Sequence, residues 1–181
     1  MQAETDQYGS NVSRKPSSPI VQTTTPALPP FHKRHILIPI DDSDHATQAI
    51  AWTISNILRE DDHVTLLHVW PNVMAPNTFG VLIDEGEYIR KMQEKVKEAS
   101  HDILKREGKA LSQAEIKVTF TLISVQGDPR EEIIAKINAQ NIDLVVMGSR
   151  GRGAVKRALL GSVSDYIVHH AKCPVTIVKE Q

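Results

Sequence analysis

Residues 142–151, IDLVVMGSRG, decide the fold of this chain. The apolar half of this stretch, residues 142–147, is typical of a buried strand. Glycines directly beyond a strand let backbone N–H groups approach a ligand that a Cβ would keep away. The glycines continue in the spacing G-x2-G-x9-G-S, which ends at Ser162. The pattern therefore predicts a strand, a glycine loop and a short amphipathic helix whose N-terminus favours a phosphate.

Positive charge accompanies the glycine loop. Between Asp143 and Asp165 the sequence contains no carboxylate. The cations in this interval are Arg150, Arg152, Lys156 and Arg157. Because the net charge of the whole chain is only -1, these cations indicate a local anion site rather than a generally basic surface.

Simpler interpretations of the same residues stay open. Glycines after a strand also make turns, and Ser162 followed by Asp165 fits a helix cap. The spacing of the glycines matches neither the P-loop nor the early glycines of the dinucleotide-binding fingerprint. The function of the loop must therefore be inferred together with the other segments of the chain.

The composition favours one folded domain. The chain has 181 residues, of which 40% are hydrophobic and 24% charged, and this supports a full core. Residues 1–33 contain five of the ten prolines, so we predict a disordered Ser/Thr/Pro-rich tail before a folded domain at 34–181. No stretch approaches the ~20 apolar residues of a membrane span, and the near-neutral charge argues against nucleic acid as a partner. We expect a cytoplasmic protein, with access to the nucleus left open.

Strand-like and helix-like segments alternate after the tail. A strand at 35–40 precedes apolar residues at helical spacing over 46–57, and Asp128 with Pro129 predicts the start of a later helix. Gly108 predicts the end of the long helix before it. This alternation predicts an α/β fold, an open five-stranded parallel sheet with helices on both faces. The other strands are predicted at residues 63–69, 116–122, 142–147 and 175–178, with the strand at 116–122 at an edge.

Two of the predicted strands end in residues suited to a ligand. In a parallel sheet, ligands bind beyond the carboxyl ends of the strands, where the strand order reverses. If the order is 3-2-1-4-5, the first and fourth strands are neighbours, and Asp41 faces the glycine loop across one crevice. The carboxylate then suits a ribose hydroxyl and the loop suits a phosphate chain. Asp41 also fits a plain helix cap, and that alternative stays open.

Taken together, these motifs resemble the nucleotide-binding subgroup of the universal stress protein family. The resemblance covers roughly residues 33–179. It rests on PIDDS at 39–43, LHV at 67–69, GDP at 127–129, VMGSRG at 146–151 and GSV at 161–163. It implies a Rossmann-like fold of the adenine nucleotide alpha hydrolase type that binds ATP with Mg²⁺. It also implies a homodimer that pairs the last strand, residues 174–179, with a second copy.

The resemblance assigns the matched residues to two groups. Pro39, Asp41 and Val69 would contact adenine and ribose. Residues of the glycine loop and of the helix after it would hold the phosphates. The complete predicted binding set is Pro39, Ile40, Asp41, Val69, Met147, Gly148, Arg150, Gly151, Gly161, Ser162, Val163 and Ser164.

The leading functional hypothesis is a dimeric, ATP-binding regulatory module for stress responses that an unidentified protein partner reads. ATP would stabilise both the dimer and the segment between Ser149 and Leu160. One alternative is a slow ATPase or a nucleotidyl-transfer enzyme, and another is a structural dimer without obligatory nucleotide. No Asp, Glu, Gln or His lies between Leu144 and Ser164, so a water-activating base would come from Asp41, Asp42 or elsewhere, and no catalytic residue is predicted.

The histidines near the C-terminus invite a different interpretation, a metal site. His169, His170 and Cys173 lie close together in the sequence. A zinc site of this kind normally has a second matching pair of ligands. The sequence offers no such pair beside them, so no metal-ligating residue is predicted.

Overall fold

The computed structural model of the chain describes residues 33–74, 85–151 and 160–179. All of them belong to one compact unit, His32–Gln181. The predicted tail, apart from Lys33, lies outside the described residues. So do three of the cations predicted around the glycine loop, which are Arg152, Lys156 and Arg157.

Strands and helices alternate throughout the described residues, as the sequence predicts. The helix α3 starts where the sequence places it, with Asp128 as N-cap and Pro129 in the first turn. The elements are β1 His35–Ile40, α1 Asp44–Asn56, β2 His63–Trp70, α2 Glu85–Ser112, β3 Thr119–Gln126, α3 Pro129–Ala139, β4 Leu144–Gly148, α4 Ser162–His170 and β5 Val175–Val178.

The predicted boundaries of α2, β3 and β4 are wrong in part. The strand β4 begins at Leu144 rather than at residue 142, and the other differences involve contacts between α2 and β3. The helix α2 continues past Gly108 to Ser112. A Cβ at Gly108 would lie 3.0 Å from the Leu122 side chain, so this glycine allows close packing on β3 rather than ending the helix. The strand β3 runs from Thr119 to Gln126 rather than over residues 116–122. The apolar residues before it, such as Ile116, pack against the core outside the strand.

Among the described residues, five strands form one sheet in the order β3-β2-β1-β4-β5. All neighbouring strands are parallel. This confirms the predicted order, including the edge position of β3. The central strand β1 has Ile36, Leu37 and Ile38 completely buried, because helices cover both of its faces.

The helices form two apolar layers on the sheet. Ile50 of α1 and Leu104 of α2 belong to the core on one face. Ile133 of α3 and Ile167 of α4 belong to the core on the other face. In the described ranges, no helix combines the length and the apolarity needed to cross a membrane. This arrangement places the ends of β1 and β4 side by side, at the point where the chain turns to opposite faces.

Candidate functional site

A cavity of about 320 Å³ lies at the carboxyl ends of β1 and β4. Every residue of the predicted binding set lines it. Four further lining residues were not predicted, namely Ala46, Leu67, Pro129 and Ile133. The structure therefore brings all predicted positions to one place, although they come from four separate parts of the chain.

Asp41 is held at the edge of the cavity by the turn that follows β1. Ser43 Oγ donates a hydrogen bond to Asp41 Oδ1. Ser43 is also the N-cap of α1, where its side chain accepts from the backbone N–H of Ala46. The interpretation of Asp41 as a plain helix cap is therefore wrong, because Ser43 performs that role and leaves the Asp41 carboxylate at the cavity.

Gly148 and Gly151 are surrounded closely by the protein itself. A Cβ at Gly148 would lie 2.9 Å from the backbone oxygen of His45. A Cβ at Gly151 would overlap Asp41 Oδ2. These two glycines therefore let the loop after β4 approach the start of α1 and the Asp41 carboxylate.

The start of α4 has a more open environment. A Cβ at Gly161 would lie 3.4 Å from Arg150 Cα, the nearest atom among the described residues, which is close to ordinary contact. Gly161 itself is the N-cap of α4, and within the described residues no side-chain hydrogen bond caps this helix. The alternative in which Ser162 caps α4 is therefore wrong. Because the first N–H groups of a helix have no partner within it, this helix start suits an anion.

Ser164 connects α4 to the loop that precedes it. Its Oγ lies 3.0 Å from the backbone oxygen of Ser149 and 2.9 Å from that of Gly161. Gly161 N also donates to the Ser149 oxygen, at 2.8 Å. The hydroxyl of Ser164 is thus engaged by backbone carbonyls, which holds the helix start against the end of β4.

Arg150 supplies positive charge to the lining of the cavity. Its Nε atom is buried and has no hydrogen-bond partner within the described residues. A buried donor without an acceptor is destabilising. The position therefore suits a ligand that carries acceptor oxygens.

The opposite side of the cavity is mainly apolar, and it contains the residues that the sequence analysis missed. Leu67 was predicted as part of a strand and of the LHV motif, and Ile133 lies in the helix predicted to start at Pro129, but neither was assigned to the binding set. Pro129 was predicted as a helix start and as part of the GDP motif, again without a place in the binding set. The order of the strands could have indicated these residues. Helices that follow parallel strands begin at the same edge of the sheet where ligands bind.

Next to Pro129, a chain of charged and aromatic side chains joins α3 to α4. Hydrogen bonds from the Arg130 side chain lower the pKa of Asp128 to about 2. The Arg130 guanidinium lies 5.9 Å from the centre of the Tyr166 ring, and that ring stacks on His170 at 3.9 Å. These contacts fix the two helices that border the cavity.

The histidines of α4 engage its own backbone. His169 Nδ1 lies 2.7 Å from the Asp165 oxygen, and His170 Nδ1 lies 2.8 Å from the Tyr166 oxygen. Burial raises the pKa of the nearby Cys173 thiol, which disfavours the reactive thiolate. Within the described residues, no group of three His, Cys, Asp or Glu side chains is arranged to hold a metal ion.

The chain belongs to the universal stress protein family, whose family model matches residues 33–179. It is 30% identical over 176 residues to universal stress protein PHOS34 from Arabidopsis thaliana. That alignment covers 89% of this chain and 66% of PHOS34. The chain thus spans about two thirds of the length of this curated relative.

Solved structures share the fold. The hypothetical protein MJ0577 has a TM-score of 0.67 and 26% identity, over 82% of this chain and 96% of that protein. A universal stress protein family protein from Arabidopsis thaliana with AMP bound has a TM-score of 0.56 and 22% identity, over 82% of this chain and 92% of that protein. The order of the strands therefore belongs to a known α/β architecture.

Proposed function

We propose that this chain binds ATP, together with Mg²⁺, in the cavity between β1 and β4 and acts as a nucleotide-dependent regulatory module. The observation that carries the proposal is the division of one cavity into an apolar side and a side rich in backbone N–H groups. A nucleotide has the same division, with a flat base at one end and phosphates at the other. The volume is in the range of pockets for small molecules.

The phosphates are assigned to the start of α4 and to Arg150. The uncapped helix start offers N–H groups and the positive end of the helix dipole. The buried Nε of Arg150 offers a further donor in the same region. Mg²⁺ would be held mainly by phosphate oxygens and water, because it usually takes only one or two carboxylates from a protein. Its contribution would be to neutralise charge on the triphosphate.

The base and ribose are assigned to the other side of the cavity. Pro39, Val69 and Ile133 line it with apolar surface that suits the faces of an adenine ring. Asp41 would accept a hydrogen bond from a ribose hydroxyl. The fold neighbour with AMP bound supports the adenine nucleotide class for this architecture.

Regulation by binding is favoured over hydrolysis. In the described part of the chain, Asp41 is the one acidic side chain that lines the cavity. Its Oδ1 already accepts a hydrogen bond from Ser43, so it is held as a fixed acceptor rather than as a base aimed at water.

The dimer is proposed to form through residues 174–179. The strand β5 is the last strand of the described sheet, and an exposed strand edge offers backbone groups for pairing with a second copy. Ser149 N donates to the Val178 oxygen at 2.9 Å, so β5 directly contacts the loop that lines the cavity. Sedimentation of the native chain and of an Ile177→Lys variant tests this, and we expect a dimer for the native chain and a monomer for the variant. A native chain that is monomeric at all concentrations would contradict the dimer.

The decisive experiment measures the melting temperature of the full chain with ATP and Mg²⁺, with GTP, and with adenosine. Ligand at a hundred times its dissociation constant stabilises by about 2.7 kcal/mol, or roughly 5 to 10 °C here. We expect the largest shift with ATP and none for a Gly161→Val variant, whose added side chain enters the phosphate region. Absence of any shift, with no nucleotide extracted from the purified protein, would reject ATP binding.

A further inference from the structure

We propose that α2 sets the position of Asp41 through Arg106, so that Arg106 and Glu107 act as positioning residues for ribose recognition. Neither residue lines the cavity. The inference rests on the proposed function, because it assigns Asp41 to the ribose. It adds a structural cause for the orientation of Asp41 that comes from outside the cavity.

The first contact lies at the turn after β1. Arg106 Nη2 donates to Asp42 Oδ1 at 2.8 Å. Asp42 directly follows Asp41, so the turn offers one carboxylate to the cavity and the next to α2. An exposed ion pair of this kind contributes little by itself, and its effect depends on how firmly Arg106 is held.

Glu107 holds Arg106 in place. The side chain of Glu107 is only 3% exposed, and its Oε1 accepts from Arg106 Nε at 3.0 Å and from Thr47 Oγ1 at 3.0 Å. A buried carboxylate is strongly destabilising without a cation and hydrogen bonds. Arg106 therefore stays beside Glu107, and the planar fork of its guanidinium extends to Asp42 at the same time.

The two anchor points enclose the segment that forms one wall of the cavity. Asp42 and Thr47 mark its ends, and both are held by α2. Between them, Ser43 bonds Asp41 and caps α1, and Ala46 lines the cavity. A shift of either anchor would move Ser43 and, with it, the Asp41 carboxylate.

The test compares the affinities of the full chain for ATP, 2′-deoxy-ATP and 3′-deoxy-ATP by calorimetry. The variant is Arg106→Ala, and the matched control is Lys105→Ala, the adjacent exposed cation, which pairs only at 4.0 Å with Asp102. We expect Arg106→Ala to weaken ATP roughly tenfold, the order of one charged hydrogen bond. For the deoxy analogue that lacks the recognised hydroxyl, the affinities of native protein and of Arg106→Ala should differ by less than about twofold.

A purely structural role would lower all affinities together, so the ratio between ATP and its deoxy analogues is the decisive quantity. Arg106→Lys provides a second variant that keeps the charge but loses the fork, and we expect it to lose most of the discrimination as well. A different result is that native protein prefers ATP to its deoxy analogue and Arg106→Ala keeps the same ratio between the two affinities. That result would reject only the role of α2. If native protein binds no adenine nucleotide, the proposed function is rejected and this inference with it.

Hydrogen exchange without nucleotide gives an independent measurement. We expect faster exchange at the backbone N–H groups of residues 42–47 in Arg106→Ala than in Lys105→Ala. Equal exchange in the two variants would show that α2 does not hold this segment.

Discussion

Gly148 and Gly161 stand at the two ends of the glycine loop, one at the end of β4 and the other at the start of α4. The missing Cβ of Gly148 would meet the backbone of His45 at 2.9 Å, whereas that of Gly161 would meet no atom of the described residues closer than 3.4 Å. The two positions of this motif therefore require or allow glycine for two different physical reasons. The fold itself requires a glycine at 148, whereas the space beside 161 is available to a ligand.

The largest effect is expected from a substitution at the end of β4. Gly148→Val should destabilise the native state by about 3 kcal/mol, because a rigid backbone neighbour cannot move aside for the added carbons. Urea unfolding measures this difference directly. Gly161→Ala is the matched control and should change the unfolding free energy by less than about 1 kcal/mol. Similar losses in the two variants would abolish the contrast between the glycines.

The next largest effect is expected at the start of α4, where one substitution should lower ATP affinity without lowering the stability of the fold. Gly161→Asp adds an N-cap side chain that satisfies helix N–H groups, and Gly161 already has the extended backbone that this cap needs. We expect unchanged or slightly higher stability, together with a loss of ATP affinity of roughly a hundredfold from like-charge repulsion. Retained ATP binding in this variant would show that the phosphates lie elsewhere.

A smaller effect is expected at Arg150, whose backbone lies beside Gly161. Arg150→Gln should weaken ATP about tenfold by removal of one charge-assisted hydrogen bond. Adenosine should bind as it does to native protein, because it has no phosphate. Calorimetry with both ligands checks the prediction, and Arg59→Gln, which removes an exposed cation before β2, is the control. Equal losses for ATP and adenosine would contradict the assignment of Arg150.

The smallest effect is expected at the start of α3, which has Asp128 as a side-chain cap, whereas the N-cap of α4 is a glycine. The pKa of Asp128 is lowered from 3.8 to about 2, so its stabilising contribution is present above about pH 4 and disappears as the pH falls toward 2. Asp128→Ala should therefore melt lower than native protein at neutral pH, and the difference should vanish in acid. A difference that persists at about pH 2 would show that the cap does not act through its charge.

Elements decided by neighbouring residues could be predicted closely from the sequence. The start of α3 follows from Asp128 and Pro129, and the bounds of β5 match its short apolar run. The end of α2 could not be predicted in this way. Gly108 serves a contact with Leu122 of another element, and such a contact is invisible to a local pattern.

The candidate site was predictable to the extent that it follows the edges of strands. Asp41 and the glycine loop each follow an apolar run, and parallel strands bring such ends together. That Leu67 and Ile133 line the cavity could not be predicted, because a wall of a cavity and a part of the core have the same apolar pattern. The assignment of the lining residues to ATP stays a prediction until binding is measured.

By itself, the sequence determined the alternation of strands and helices and the place of the glycine loop, because backbone preference and hydrophobic periodicity act over a few residues. It also determined the family. Only the tertiary structure decided which glycine is enclosed by the protein and which is open. It also decided that Ser43 rather than Asp41 caps α1, and that Arg106 reaches Asp42. These features depend on distances between residues far apart in the chain, and only the packed sheet and helices define those distances.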